Sequence, residues 1–231
     1  MTTESIWERV VNLTNRVFAV TSGLDLPHDS QWHVVVSVFL TQVNERLCSI
    51  RALLDKNSRD SSVVLTRSLF ELAANLAYIA KDVEARMPEY LRYGGIPTTP
   101  EEVEKLKEEL KKDETAEGPD IVPDHTWKPL KTMCTELGPN WLKEYITFYR
   151  LASIPTHAGS FTMGSSYKRL IEQQPPSDHE KATVVATALA FHLRVAEIVA
   201  DAFTQQVDLE KVKQLRNECQ CLGQSLYKHQ T

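Results

Sequence analysis

The chain predicts an all-α fold, a single-domain bundle of long antiparallel helices with a charged helical excursion near residues 99–126. Three observations predict it. Apolar residues recur at three- and four-residue steps over most of the length. Turn formers and helix-capping residues punctuate that pattern at helix-length intervals. No segment reads as a sheet, and no internal repeat stands out.

Residues 4–22 place Ile6, Val10, Leu13, Val17 and Val20 on one face, and Gly23 and Pro27 end that helix. Asp29 or Ser30 caps a second helix over about 31–55, whose apolar stripe runs from Val35 through Phe39, Val43, Leu47 and Ile50 to Leu54. The β-branched run Val34-Val35-Val36 favours a strand locally, but the helical period continues past it. Asn57–Ser61 reads as a turn. A third helix from about 62 to 82 is apolar on most sides, which predicts a central position. Residues 84–94 form a short continuation closed by Gly94-Gly95 and Pro97.

Thr98–Glu102 is a helix start, with Pro100 suited to the first turn and acids facing the positive helix end. The helix it opens, Val103 to Lys112, is nearly all Glu and Lys, a solvated element held by Glu–Lys pairs. Residues 113–126 contain Gly118, Pro119 and Pro123 and read as a linker. Helices resume over about 127–137 and 140–153. Pro175-Pro176-Ser177-Asp178 starts a long one reaching about Phe203, and the last spans about 208–228.

A length of 231 residues suits one large domain with a real core. With 42% hydrophobic and 25% charged residues and only 8 Gly, the disordered and fibrous classes are excluded. The formal charge of -5 argues against coating nucleic acid or an anionic membrane, although a small local basic site remains compatible with it. No uninterrupted run of about 18 apolar residues exists, so no membrane span is expected. The opening residues Met1–Arg9 are polar and acidic where a secretory signal would be basic and then apolar. Cys48, Cys134, Cys219 and Cys221 do not form a disulfide framework, and only the last two are close. A cytoplasmic protein with reduced thiols is the expectation.

Reactive side chains concentrate in Tyr149-Arg150-Leu151-Ala152-Ser153-Ile154-Pro155-Thr156-His157-Ala158-Gly159-Ser160. Tyr149, Ser153 and His157 are four apart, and Arg150 and His157 are seven apart. In a continuous helix the last two share a face about 10 Å apart along the axis. Pro155 cannot donate to the carbonyl of Leu151, so the helix should kink or end near Ser153. An imidazole that moves a proton near neutral pH, beside a guanidinium that holds phosphate oxygens, suits phosphodiester chemistry without a metal. The plainer reading is that His157 caps the preceding helix and Arg150 makes a structural salt bridge.

A second constellation lies on the third helix. Arg67, Glu71, Asn75 and Tyr78 follow steps of four, four and three and line one face of an otherwise apolar segment. Polar groups there need partners. Arg67 and Glu71 can satisfy each other; the sharper alternative puts this track against Arg150 and His157, with Glu71 orienting one of them.

An Arg, six residues, a His, then small residues with Gly at the end of a helix in an all-α chain resembles the HEPN superfamily, whose signature is an Arg and a His with four to six residues between them. The track from Arg67 to Tyr78, together with Tyr149-Arg150 through Ser153 to His157, is similar in arrangement to a mostly bacterial helical family known only as a domain of unknown function. The likeness covers roughly residues 30–200. The HEPN resemblance implies a metal-independent endoribonuclease of a toxin or anti-phage type, with catalytic positions on Arg150 and His157. Tyr149, Ser153, Arg67, Glu71, Asn75 and Tyr78 would support them or bind substrate. It also implies RNA as substrate and a homodimer that brings two motif helices into one cleft. This chain departs from the common pattern at Leu151, where a polar residue is usual, and at Pro155.

No cofactor or metal site is expected: the seven histidines are scattered, and no His-Glu-x-x-His or phosphate-binding glycine loop occurs. Two other function classes fit the same residues. One is a non-catalytic interaction or sensor module with a protein partner. The other is a small-molecule-binding bundle that uses the Arg67–Tyr78 track inside an apolar pocket.

Overall fold

The structure, a computed structural model, describes residues 5–94, 127–149 and 175–228, with single positions at 101, 104 and 152. Among the described residues there are eight α-helices, one π-helical turn and no strand, packed as an all-α bundle. The helices are α1 (Ile6–Thr21), α2 (Gln31–Asp55), α3 (Arg59–Ala80), α4 (Val83–Tyr93), α5 (Leu130–Leu137), α6 (Pro139–Glu144), α7 (Asp178–Ala202) and α8 (Leu209–Lys228). The π-turn, Tyr145–Tyr149, directly continues α6. The charged excursion predicted near 99–126 lies outside the described residues, apart from Glu101 and Glu104, which are helical.

Local chemistry accounts for the helix ends. Ser5 and Glu8 form a reciprocal cap on α1: the Glu8 amide donates to Ser5 Oγ at 3.1 Å, and the Ser5 amide donates to the Glu8 carboxylate at 2.6 Å. Ser177 and Glu180 repeat the device at α7. At α2 the cap is Ser30, whose Oγ accepts from the His33 amide, and Val34-Val35-Val36 is helical as its period requires. The turn after α2 is shorter than Asn57–Ser61. Asn57 takes a left-handed φ of 60°, and the amides of Ser58 and Asn57 reach back to the carbonyls of Leu53 and Leu54 at 2.8 and 3.0 Å. That motif closes the helix within three residues, so α3 starts at Arg59 rather than near 62. So short a connection between packed helices makes α2 and α3 an antiparallel pair.

The third helix is central, as expected: α3 packs on α2, α4, α5, α7 and the π-turn, and α7 is more deeply buried still. Thirteen of the 25 residues of α7 are buried, against ten of 22 in α3, and α7 packs on α1, α2, α3 and α8. Alanines at 182, 186, 188, 196 and 200 are what permit this, because each leaves room for a neighbouring helix. One core cluster runs from Val10 in α1 through Val36, Leu69, Leu91, Cys134 and Val185 to Val212 in α8. The membrane expectation needs refinement. By length and composition α3 and α7 are apolar enough to cross a bilayer, since isolated polar residues interrupt the run without lowering the average. Half and two-thirds of their most apolar windows are buried inside the bundle, which is where that apolarity is used.

One histidine sits within this core. His192 of α7 is fully buried, with its ring edge-on to Phe18 and Nε2 2.7 Å from Asn44 Oδ1. The Asn44 amide nitrogen is committed to the Thr21 carbonyl at 2.9 Å, so its oxygen faces the ring and Nε2 carries the proton. Nδ1 finds no partner among the described residues. Burial lowers the His192 pKa from 6.5 to about 4. Below 6.5 the unfolded chain binds a proton that the folded chain refuses, so stability falls with falling pH down to about 4. Urea unfolding is expected to show a loss of about 2 kcal/mol between pH 7 and pH 5. His192→Gln, which keeps a donor toward Asn44, should flatten that dependence; an unchanged slope would show that His192 is not its source.

Candidate functional site

The four polar positions on α3 do form one face, and residues 127–149 cover it. Arg67 and Glu71, one turn apart, are paired at 3.3 Å between Nε and Oε1. Between them stands the hydroxyl of Tyr149, which accepts from Arg67 Nη2 at 2.7 Å and donates to Glu71 Oε1 at 2.8 Å. The Arg67 guanidinium carbon lies 4.6 Å from the Tyr149 ring centroid, adding a cation–π contact. Tyr149 thus has its hydroxyl proton directed by a charge on each side. Burial raises its pKa above the ordinary phenol range; the Arg67 bond acts against this and the Glu71 bond with it.

Tyr149 reaches this position from the π-turn. Widening by one residue per turn alters the direction in which its side chains leave the helix. Tyr145 and Tyr149 stack with centroids 5.2 Å apart and planes 18° from parallel, and Phe70 of α3 packs on Tyr149 at 5.6 Å. The helix expected over 140–153 is therefore α6 followed by the π-turn as far as it is described.

Farther along α3, Asn75 donates to the Glu71 carbonyl at 2.8 Å and accepts from the Trp127 indole at 2.6 Å. Tyr78 is buried and donates to Glu136 Oε2 at 3.0 Å. Glu136 also accepts from Lys128 at 2.8 Å, while its backbone carbonyl takes Lys81 at 2.7 Å. The Lys128 bond, foremost, holds the Glu136 carboxyl below the usual range. Arg86 lies over the Tyr78 ring at 3.8 Å and donates to the Tyr78 carbonyl. Edge-on contacts from Tyr78 and Tyr90 fix the Trp127 ring.

The sequence-predicted residues thus divide into three groups. Arg67, Glu71 and Tyr149 meet in one hydrogen-bonded bridge. Asn75 and Tyr78 share the face but bond to Trp127 and Glu136, which the sequence reading did not single out. Arg150, Ser153 and His157 lie outside the described residues. The plain expectation that Arg67 pairs with Glu71 holds, and the bridge through Tyr149 extends it to the residue next to Arg150. No group of three or more metal-ligating side chains comes together among the described residues. Cys219 is buried while Cys221 is exposed, so the two thiols face different surroundings.

Tyr149→Phe tests the bridge. The ring packing survives and only the hydroxyl is lost, so unfolding should cost roughly 1–2 kcal/mol less in the variant. Combined with Glu71→Ala, the two effects should be non-additive, because both remove the same bond. Strict additivity in urea denaturation would show that the hydroxyl and the carboxylate do not interact.

Residues 33–98 match a family described as Family of unknown function (DUF5677). The match covers α2, α3 and α4, and so includes Arg67, Glu71, Asn75 and Tyr78 but not Tyr149. Neither the curated proteins nor the solved structures gave a match. What is established is a helical chain with a segment similar to this uncharacterised family, and nothing in the comparisons links it to the HEPN superfamily.

Proposed function

We propose that the chain is a HEPN-like, metal-independent endoribonuclease that acts through Arg150 and His157 and works as a homodimer. The observation that carries this reading is the double hold on Tyr149: a charged pair on α3 fixes the side chain immediately before Arg150. A catalytic guanidinium needs a backbone that does not drift, and a half-buried bridge one residue away supplies that restraint. The sequence spacing of Arg150 and His157 supplies the rest. In the reaction the ribose 2′-oxygen forms a bond to phosphorus as the 5′-oxygen departs. His157 moves the proton lost by one oxygen and gained by the other, while Arg150 neutralises charge on the phosphate. Ser153 stands as a supporting residue in this scheme.

A second reading has its own observation. Every one of Arg67, Glu71, Asn75 and Tyr78 is bonded within the protein, which is how a structural strut satisfies its polar groups. On that reading the chain is a non-catalytic interaction or sensor module, with Arg150 and His157 structural.

Incubation of wild type, His157→Ala and Arg150→Ala with structured and single-stranded RNA in EDTA separates the two. The nuclease reading expects cleavage by wild type and a loss of about 100-fold or more in each variant. RNA left intact by wild type would leave the interaction module as the surviving reading. Equal cleavage by all three proteins would assign the activity to something other than these residues.

A further inference from the structure

A cleft of about 280 Å³ opens between α7, α8 and the end of the π-turn, away from the Arg67–Tyr149 bridge. One wall is aromatic: the rings of Phe148 and Phe191 lie 5.1 Å apart, and Phe70 braces Phe191 edge-on from behind at 5.1 Å. At the polar end Arg194 makes a two-pronged pair with Glu144, at 2.6 and 2.5 Å, and its guanidinium carbon lies 4.3 Å from the Trp141 ring centroid. Arg216, also at that end, is paired with Glu197. Along the side, Thr183 and Thr187 each donate their hydroxyl proton to a carbonyl one turn earlier, which turns their lone pairs into acceptors for anything in the cleft.

The composition of α8 points the same way. Gly223 lines the cleft in the middle of the helix, and a Cβ built on it would meet nothing within 4 Å. Glycine in a helix interior costs about 1 kcal/mol relative to alanine. Neither close packing nor backbone angle requires it here, so the helix carries a weakening residue whose effect is to keep the cleft open.

We propose that this cleft binds a neutral, planar heteroaromatic group of the nucleobase class. A volume of about 280 Å³ has room for one ring system of about ten heavy atoms. The aromatic wall favours a flat apolar face. The polar end decides the charge. Both guanidinium groups are already paired with carboxylates, so the polar end offers no net charge to offset the desolvation of an anion or a cation. A neutral edge that carries a donor beside an acceptor bonds to the pair without breaking it. Such an edge belongs equally to a free base and to an unstacked base of a nucleic acid strand. None of the described lining residues is one that the nuclease reading invokes, so the two proposals can fail separately.

Calorimetric titration of the full chain with adenine, adenosine, single-stranded oligoadenylate and benzoate tests it. Saturable adenine binding with Kd at or below about 1 mM is expected, with benzoate much weaker. Gly223→Leu, which fills the cleft, should weaken adenine binding by about tenfold or more without lowering the thermal midpoint. Thr187→Val, which removes one acceptor and keeps the shape, should weaken it several-fold. Tighter binding of oligoadenylate than of adenine would assign the base to a strand, and equal binding would assign it to a free ligand. No adenine binding by wild type, preference for benzoate, or unchanged affinity in both folded cleft variants would overturn the proposal.

Discussion

Small side chains along α7 allow four helices to approach it at once, and the rest of the bundle is arranged by that constraint. Ala182, Ala188 and Ala196 are essentially inaccessible, so α1, α2, α3 and α8 close on the α7 backbone itself rather than on long side chains. Burial on so many sides leaves few places for polarity. Where α7 does carry it, a facing element supplies a partner: His192 Nε2 meets Asn44 of α2, and Arg194 meets Glu144 of α6. The connection from Phe203 to Asp208 then returns α8 along the remaining side, with Val212, Leu215 and Leu222 filling the contact.

A second demand shapes the opposite side of α3. A helix that is apolar around most of its circumference but carries Arg67, Glu71, Asn75 and Tyr78 in one row cannot bury that row without partners. Segment 127–149 provides them, one after another, from Glu136 and Trp127 at one end to Tyr149 at the other. The result is a polar seam with aromatic cover. Charged pairs in such a seam add little by mutual attraction while half exposed, and their larger effect is to fix which residues face each other.

The helix boundaries were readable because their causes are local. Ser30, the Ser177–Asp178 start and the apolar period of each segment act over a few residues, and the Arg67–Glu71 pair is a one-turn contact that spacing alone reveals. Where the reading slipped, the cause was geometry that spacing does not encode. Asn57 looked like part of a longer turn because its left-handed φ compresses the connection in a way composition does not register. The π-turn is invisible for the same reason, since Tyr145–Tyr149 carries the same apolar signal in either helix type. Trp127 and Glu136 bond to α3 residues 52 and 58 positions away, and no local pattern announces them. The cleft beside α8 left only one trace in the sequence, a lone Gly223 in a helical run.

Phe148 and Tyr149 are adjacent in the chain, yet the first lines the cleft and the second closes the Arg67–Glu71 bridge. Neighbouring residues on one turn do not move independently. Any occupant that displaces Phe148 therefore acts on the hydroxyl bridge across a single peptide unit, and any tightening of the bridge acts back on the cleft to the same energetic extent. The π-turn is the joint between the cleft and the bridge.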